Sequence, residues 1–430
     1  MQNLSEKMRD CFSQSTMMLL KKVGDISKDM GCKAYLIGGT VRDLFLRKEN
    51  LDIDIVIEGD AILFGERLAR ELHGIIISHK RFGTCTVTTP EYIKIDFATA
   101  RRETYVKPAA LPTVEFSSFR DDLSRRDFTV NAMAISLNEG EFGNLIDYFD
   151  GMGDIEKKRI KALHDKSFVD DPTRILRGIR LEKRLGFTIE PHTANLIRKS
   201  IEQEIYKKVK EPRLRDEIML VLKEKEPFHI IKRIDEFRAL KIIHPYLKLH
   251  KDLGGIFTAI DEACGWYNNN SPRKRSVEKW LIYLMALFSD ISHDGTMYFC
   301  NKFELKRGEK LRVISYNRQS GRILKTLNAR RKILPSKIYR LLEPLSHEAT
   351  LLLMAVSRSD IGKGRIMEFF HKYNGMRTAV KGDDIKALGV KNGAHFARIV
   401  EKILYKKLDG IFRTREEELA YAKKLAKRRL

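Results

Sequence analysis

The stretch AYLIGGTVRDLFLRKENLDIDIVIEG, residues 34–59, begins with an apolar run that ends in a glycine pair and closes on alternating aspartate and isoleucine. AYLIGG reads as a strand, a short helix starts at Thr40, and DIDIVIEG reads as a second strand. Successive strand side chains point to opposite faces, so Ile53 and Ile55 turn toward the core while Asp52 and Asp54 stand together on the other side. An amphipathic helix precedes Gly31, and a second one, DAILFGERLARELHG, follows at residues 60–74. GIIISHK, GTCTVTTP and YIKIDFATA are further strand candidates, rich in Ile, Val and Thr and separated by turn residues. The first hundred residues therefore predict a small α/β domain. The segment RRETYVKPAALPTVEFSS, residues 101–118, has two prolines and no clean periodicity, and predicts a flexible surface loop inside that domain. From about residue 167 the strand signal stops, and helical patterns run to the C-terminus.

With 430 residues the chain exceeds one ordinary domain. Its 81 Lys and Arg against 58 Asp and Glu give a formal charge of +23, more than solubility requires, which points to a polyanionic partner. The excess is concentrated: residues 301–340 hold thirteen Lys/Arg against two Glu, and the last ten, YAKKLAKRRL, add five more. Any one such run is also what a solvated helix face looks like; the whole-chain excess favours phosphate contact. The five cysteines are widely separated and form no C-x-x-C pair, so neither a zinc site nor a disulfide framework is indicated, and a reducing compartment fits. The N-terminus is polar, and the longest apolar run, WLIYLMALF at residues 280–288, is far short of a membrane span. The expectation is a soluble cytoplasmic protein.

Two carboxylates on one strand face repel each other and become useful when divalent cations sit between them. Mg²⁺ prefers hard oxygen ligands and leaves positions open for substrate phosphates. In two-metal transfer chemistry one ion activates an attacking hydroxyl and the other steadies departing pyrophosphate. Gly38 and Gly39, at a strand-to-helix turn, would let backbone N–H groups approach an anion closely. Arg42, in the first helical turn, either reaches those phosphates or pairs with Asp43 or a distant carboxylate. Glycine pairs are common, and D-x-D triplets are more often solvated strand edges. A Gly-Gly turn with D-x-D on the next strand, twelve residues after Thr40, is nevertheless the arrangement of nucleotidyltransferases that resemble DNA polymerase beta.

GGTVRDLFLRKENLDIDIVI resembles the first motif of class II tRNA nucleotidyltransferases, the CCA-adding enzymes, and of the related bacterial poly(A) polymerases. DLSRRDFTVNAMAI, residues 122–135, is similar to that family's second motif. The resemblance implies that Arg126, Asp127 and Asn131 contact the ribose or triphosphate of an incoming nucleotide; the alternative is that they brace the fold. NLIDYFDGMGDIEKKRIKALH resembles the segment joining head and neck, with the usual adjacent glycines split by Met152. FVDDPTRILRGIRLEKRLGF resembles the nucleobase-selecting motif, with Asp170, Asp171 and Arg174 in matching places. On a helix, Asp171 and Arg174 would share a face and offer a carboxylate acceptor beside guanidinium donors. Cytosine and adenine, each with an amino donor next to a ring-nitrogen acceptor, match that pair; an ordinary i,i+3 salt bridge is the plainer alternative. Arg177 and Arg180 are further candidates for the triphosphate. VKEPRLRDEIMLVL, residues 209–222, resembles the last motif, with Pro212 where a glutamate is usual, and implies helix bracing. Asp96 stands where the superfamily carries a third carboxylate, or is a strand-edge aspartate. Residues 382–419 resemble the closing helices of the bacterial subgroup that divides the task between CC-adding and A-adding enzymes. His293 and Asp294 lack the partners that an HD-type phosphohydrolase site requires.

The resemblance implies an α+β protein. A polymerase-beta-like nucleotidyltransferase head with a mixed sheet (1–160) is followed by a helical neck (161–225), body (226–340) and tail (341–430). It implies a metal-dependent enzyme, monomer or homodimer, that adds C and/or A to the tRNA 3′ end, gripping the acceptor stem. ATP and CTP would be substrates and two Mg²⁺ ions the cofactors, held by Asp52 and Asp54 with Asp96. A poly(A) polymerase would share the same residues, and a catalytically silent RNA-binding protein would share the scaffold.

Overall fold

The computed structural model describes residues 2–48 and 52–427; Arg428 and Arg429 of the basic C-terminal run lie outside the described residues. The chain divides into two compact units, Met1–Val221 with His229–Ile242, and Leu222–Phe228 with Ile243–Leu430.

The first unit contains nine strands in its N-terminal part: β1 (Lys33–Ile37), β2 (Ile53–Glu58), β3 (Ile75–His79), β4 (Thr84–Thr88), β5 (Lys94–Thr99), β6 (Arg101–Thr104), β7 (Thr113–Phe116), β8 (Met133–Ser136) and β9 (Leu145–Asp147). Seven of them form one sheet in the order β3-β4-β5-β2-β1-β8-β9. Every neighbouring pair is antiparallel except β2 and β5, which run parallel, so the sheet is mixed as expected. On one face Ile53, Ile55, Ile95, Phe97, Cys85 and Val87 are buried. The helices Gln14–Asp29 and Ala61–Glu71 pack against the sheet, each started by a side-chain cap, Ser13 on the Thr16 N–H and Asp60 on those of Ile62 and Leu63. Tyr35, Val56, Phe119, Leu123 and Ala134 form a second apolar cluster. The register places Asp54, Asp96, Thr86 and Ile77 in one row across β2, β5, β4 and β3.

Two expectations need correction. Residues 101–118 are not a featureless loop: β6 and β7 form an antiparallel hairpin, with Arg101 opposite Phe116 and Thr104 opposite Thr113. Pro108 and Pro112 lie in its connecting segment, and neither strand buries a face, so no alternation marks them in the sequence. The region after residue 167 is not purely helical either, since Thr188–Ile189 pairs in parallel with Arg159–Ile160. Two-residue strands are too short to carry a periodic signal.

The rest of the first unit is built from helices that include Ser167–Asp170, Thr173–Leu185, Pro191–Glu202 and, up to Val221, most of Glu211–Lys223. The second unit is helical. Its apolar run at residues 280–288 lies in the helix Lys279–Leu287 and the cap that follows, fully buried, which is why it is apolar all round. Val380, Ile385, Ile399, Ile403, Ala422 and Leu425 make a separate core for the closing helices. No helix among the described residues is long and apolar enough to cross a membrane.

Candidate active site

A cleft of about 730 Å³ opens in the first unit. Ten arginines line it against four acids, Asp54, Glu103, Asp127 and Asp171, so it presents net positive charge to a ligand of polyphosphate kind. The turn after β1, the segment 125–131, the helix Thr173–Leu185 and the hairpin all contribute walls.

Gly38 has φ +68°, and a Cβ there would lie 2.9 Å from an Arg126 guanidinium nitrogen. Its N–H donates to the Met133 carbonyl at 3.2 Å, so this amide is committed within the fold and does not face an anion, contrary to expectation. The glycine serves instead to admit Arg126 beside the turn. Gly38→Ala should therefore lose about 1–3 kcal/mol of stability, because φ +68° with ψ −130° is a backbone region that glycine alone enters freely, and weaken binding of a polyphosphate ligand by displacing Arg126, as thermal melts and titration calorimetry would show. Gly39 opens the helix Gly39–Phe45 and lines the cleft. Arg42, on that helix, is buried and takes the Asp43 alternative: Nε and Nη2 bond the two carboxylate oxygens at 2.9 and 2.8 Å, while Nη1 donates to Asn131 Oδ1 at 2.6 Å.

The carboxylates are positioned by a residue that sequence reasoning did not single out. The buried Thr40 hydroxyl donates to the Asp52 carbonyl oxygen at 2.5 Å and lies 3.4 Å from the Asp54 N–H, which donates to it. The start of the helix thereby pins the start of β2. Burial pushes the Asp54 carboxyl above the ordinary carboxylate range; the Asp96 charge adds to this, Arg126 opposes it, and Asp52 adds further. Asp96 is exposed, faces Asp54 across the parallel pair, and accepts from Thr86 Oγ1 at 2.5 Å. Among the described residues no three His, Cys, Asp or Glu side chains converge into a ready ion cage. Hard oxygen donors whose mutual repulsion raises a proton affinity fit a divalent cation that also takes phosphate oxygens as ligands.

Asp127 is buried, accepting from the Phe128 N–H at 2.8 Å and Asn131 Nδ2 at 3.0 Å, with Arg177 Nε 2.7 Å from its other oxygen. Burial alone would raise its proton affinity, but the Arg177 guanidinium and the Asn131 amide prevail and hold the carboxyl below its usual value. A continuous polar chain, Arg42–Asn131–Asp127–Arg177, thus runs from the first motif to the helix Thr173–Leu185. Arg126 donates to the fully buried Asp122 at 3.1 Å, which also holds Arg125.

Asp171 and Arg174, expected to read the base from one helix face, are assembled differently. Asp171 sits in extended backbone between two helices and caps the second: its Oδ1 accepts from the Thr173 N–H at 3.1 Å and hydroxyl at 2.6 Å. Its Oδ2 pairs with Arg213 at 2.7 Å. Arg174 is buried and donates to Ser167 Oγ at 2.8 Å and to the Arg125 carbonyl at 2.7 Å. Neither is the i,i+3 partner of the other, yet both line the cleft. Asp170 ends the preceding helix. Arg177 is about half exposed, and Arg180 is buried against Glu217 at 3.3 Å. Arg213, the arginine that directly follows Pro212, was not singled out because its motif implied only bracing. One of its guanidinium nitrogens is buried without a hydrogen-bond partner among the described residues. Across the cleft, Glu103 of the hairpin binds Arg101 and Arg125, each at 2.9 Å, and receives the Tyr105 hydroxyl at 3.0 Å.

The chain matches two family models, "Poly A polymerase head domain" over residues 34–161 and "Probable RNA and SrmB- binding site of polymerase A" over residues 186–250. It is 37% identical over 415 residues to the A-adding tRNA nucleotidyltransferase of Geobacter sulfurreducens, covering 96% of this chain and 47% of that protein. It is also 37% identical over 330 residues to the Aquifex aeolicus A-adding enzyme, covering 75% and 39%. The chain spans about half the length or less of these curated relatives. Among solved structures, a CCA-adding enzyme in its apo form II superposes with a TM-score of 0.82 at 33% identity, covering 97% of both chains. The Thermotoga maritima CCA-adding enzyme complexed with tRNA gives 0.75 at 31%, covering 98% of both. Motifs, fold and near-complete coverage at this identity agree, and the chain belongs to the class II tRNA nucleotidyltransferase family, that of the CCA-adding enzymes.

Proposed function

We propose that this protein extends the 3′ end of tRNA from nucleoside triphosphates with release of pyrophosphate, and that the terminal A is the residue it adds. The observation that carries the reaction is one arginine-lined cleft onto which both the Asp54 carboxylate and the Asp171/Arg174 pair open. The choice of A is supported by the A-adding relative whose similarity extends over 96% of this chain. Asp52 and Asp54, flanked by Asp96, are the residues that would hold Mg²⁺, which when bound supplies Lewis-acid charge neutralisation to the reacting phosphate and lowers the proton affinity of the attacking hydroxyl.

The remaining work falls to side chains of the chain itself. Arg126 and Arg177 offer guanidinium donors to the triphosphate, and Arg180, paired with Glu217, stands behind them. Asp127 and Asn131 present a carboxylate and an amide to the ribose, held in place by Arg42. Arg174, fixed by Ser167 and the Arg125 carbonyl, keeps further N–H donors for a ring nitrogen, while Asp171 accepts from an exocyclic amine. Guanine and uracil would leave both groups mispaired, which a buried site penalises strongly. Positioning and fixed charge supply most of the rate. The helical second unit, with thirteen Lys/Arg among residues 301–340, is the surface proposed for the acceptor stem.

The test incubates the protein with tRNAs ending before the CCA triplet or after its second C, and with an unrelated RNA, supplying CTP and ATP singly and together. One A added to the tRNA ending in CC, with the other RNAs unextended, is expected. Addition of C and A to the shortest tRNA would indicate complete CCA synthesis. A long A tail on unrelated RNA would overturn the tRNA reading in favour of a poly(A) polymerase.

A further inference from the structure

We infer, resting on the reading of Asp171 and Arg174 as base-binding groups, that Arg213 donates to N7 of an incoming adenine and so makes the cleft select A over C. Asp171 stands between two guanidinium groups carried by different helices. Arg174 belongs to Thr173–Leu185 and Arg213 to Glu211–Lys223, and all three side chains line the cleft. Arg213 Nη2 donates to Asp171 Oδ2 at 2.7 Å, whereas Arg174 is tied to Ser167 Oγ and the Arg125 carbonyl. Asp171 Oδ1 is taken up by Thr173, so Oδ2, the oxygen beside Arg213, is the one left for an exocyclic amine. An amine bound there has the Arg213 guanidinium as its neighbour.

The ion pair does not exhaust Arg213. Both hydrogens on Nη1 and the second on Nη2 lie outside it, and Nη1 is buried without a hydrogen-bond partner among the described residues. A buried donor in that condition weighs against stability, and its retention calls for an acceptor that arrives with a ligand. The side chain is 28% exposed, within reach of the cleft. Its backbone is set by Pro212 in the first turn of the helix, where the ring-locked φ suits the helix and the missing N–H is no loss.

Adenine and cytosine differ in what flanks the amine. The 6-amino group of adenine lies between two ring-nitrogen acceptors, N1 and N7; the 4-amino group of cytosine has N3 on one side and a C–H on the other. With Arg174 at N1 or N3, adenine gives Arg213 an acceptor, and cytosine leaves it unpaired in a confined site. One acceptor and two separately anchored donors therefore match adenine more fully, a distinction that Asp171 and Arg174 alone do not make.

The test uses 7-deaza-ATP, in which a C–H replaces N7 and the base-pairing edge is unchanged. In titration calorimetry on the protein without RNA, wild type should bind it on the order of 10-fold more weakly than ATP. Arg213→Lys keeps a cation beside Asp171, but its compact ammonium lacks the fork that serves two partners at once. That variant should bind ATP and 7-deaza-ATP equally, with CTP affinity little changed. Arg174→Lys should weaken all three nucleotides and preserve the ratio of ATP to 7-deaza-ATP. These measurements need no turnover, so they decide the role of Arg213 even if no nucleotide is added to tRNA. Equal binding of ATP and 7-deaza-ATP by wild type would overturn the inference, as would a ratio that survives Arg213→Lys with all three affinities lowered alike, the mark of a residue that only braces Asp171. Unchanged affinities in Arg174→Lys would remove the base-reading assignment and the inference with it.

Discussion

Asp54→Asn should reduce nucleotide incorporation by a factor on the order of 10³, while raising the midpoint of thermal unfolding at neutral pH. Both effects come from one carboxylate. Its proton affinity in the fold is raised, by burial first and the Asp96 charge second, so the folded state binds the proton more tightly than the unfolded chain does. The associated stability is complete below the unfolded-state value, near 3.9, and is lost as pH rises through the folded-state value. At pH 7 the charged group weighs against folding, and the neutral amide removes that burden; in melts recorded well below pH 4 the advantage should vanish. Mg²⁺ should stabilise wild type and leave the variant nearly unmoved, since a ligand raises stability only by binding the folded state. A variant less stable than wild type at neutral pH would contradict the electrostatic description, and undiminished incorporation would remove Asp54 from the reaction.

Asp171→Ala should lower discrimination of ATP over GTP, measured as the ratio of kcat/KM values, by a factor on the order of 10². It should also lower stability by about 1 kcal/mol, because the same carboxylate caps the helix Thr173–Leu185. Asp171→Asn separates the two roles: an amide oxygen can still accept from Thr173, but the ion pair with Arg213 is gone. The asparagine variant should therefore melt close to wild type and yet select its nucleotide poorly. Retained selectivity in Asp171→Ala would assign base reading to other residues.

Much of the head's architecture is legible in the sequence. The strand–turn–helix–strand order through residue 100 appears as expected, because apolar alternation and helical periodicity both reflect which face is buried. The hairpin β6–β7 was not legible, since strands that bury nothing leave no pattern, and its prolines suggested irregular backbone. The local logic of the motif at residues 168–187 also misled. Three-residue spacing suggested one helix face, whereas Asp171 precedes the helix and both side chains are oriented by distant groups, Arg213 and the Arg125 carbonyl. Thr40 and Arg213 carry no local signature because each acts across a tertiary contact. The Gly38 amide was assigned to an anion from turn geometry alone, and the bond to Met133 depends on β8 lying beside β1.

Every basic side chain among the described residues lining the cleft is an arginine; lysine and histidine are both missing from its walls. Guanidinium groups stay protonated at any pH the fold survives and are not substrates for lysine acetylation. The cleft's attraction for phosphate therefore has no acid–base or acetylation switch: above the titration of its carboxylates, nucleotide affinity should change with pH only through the nucleotide's own ionisation.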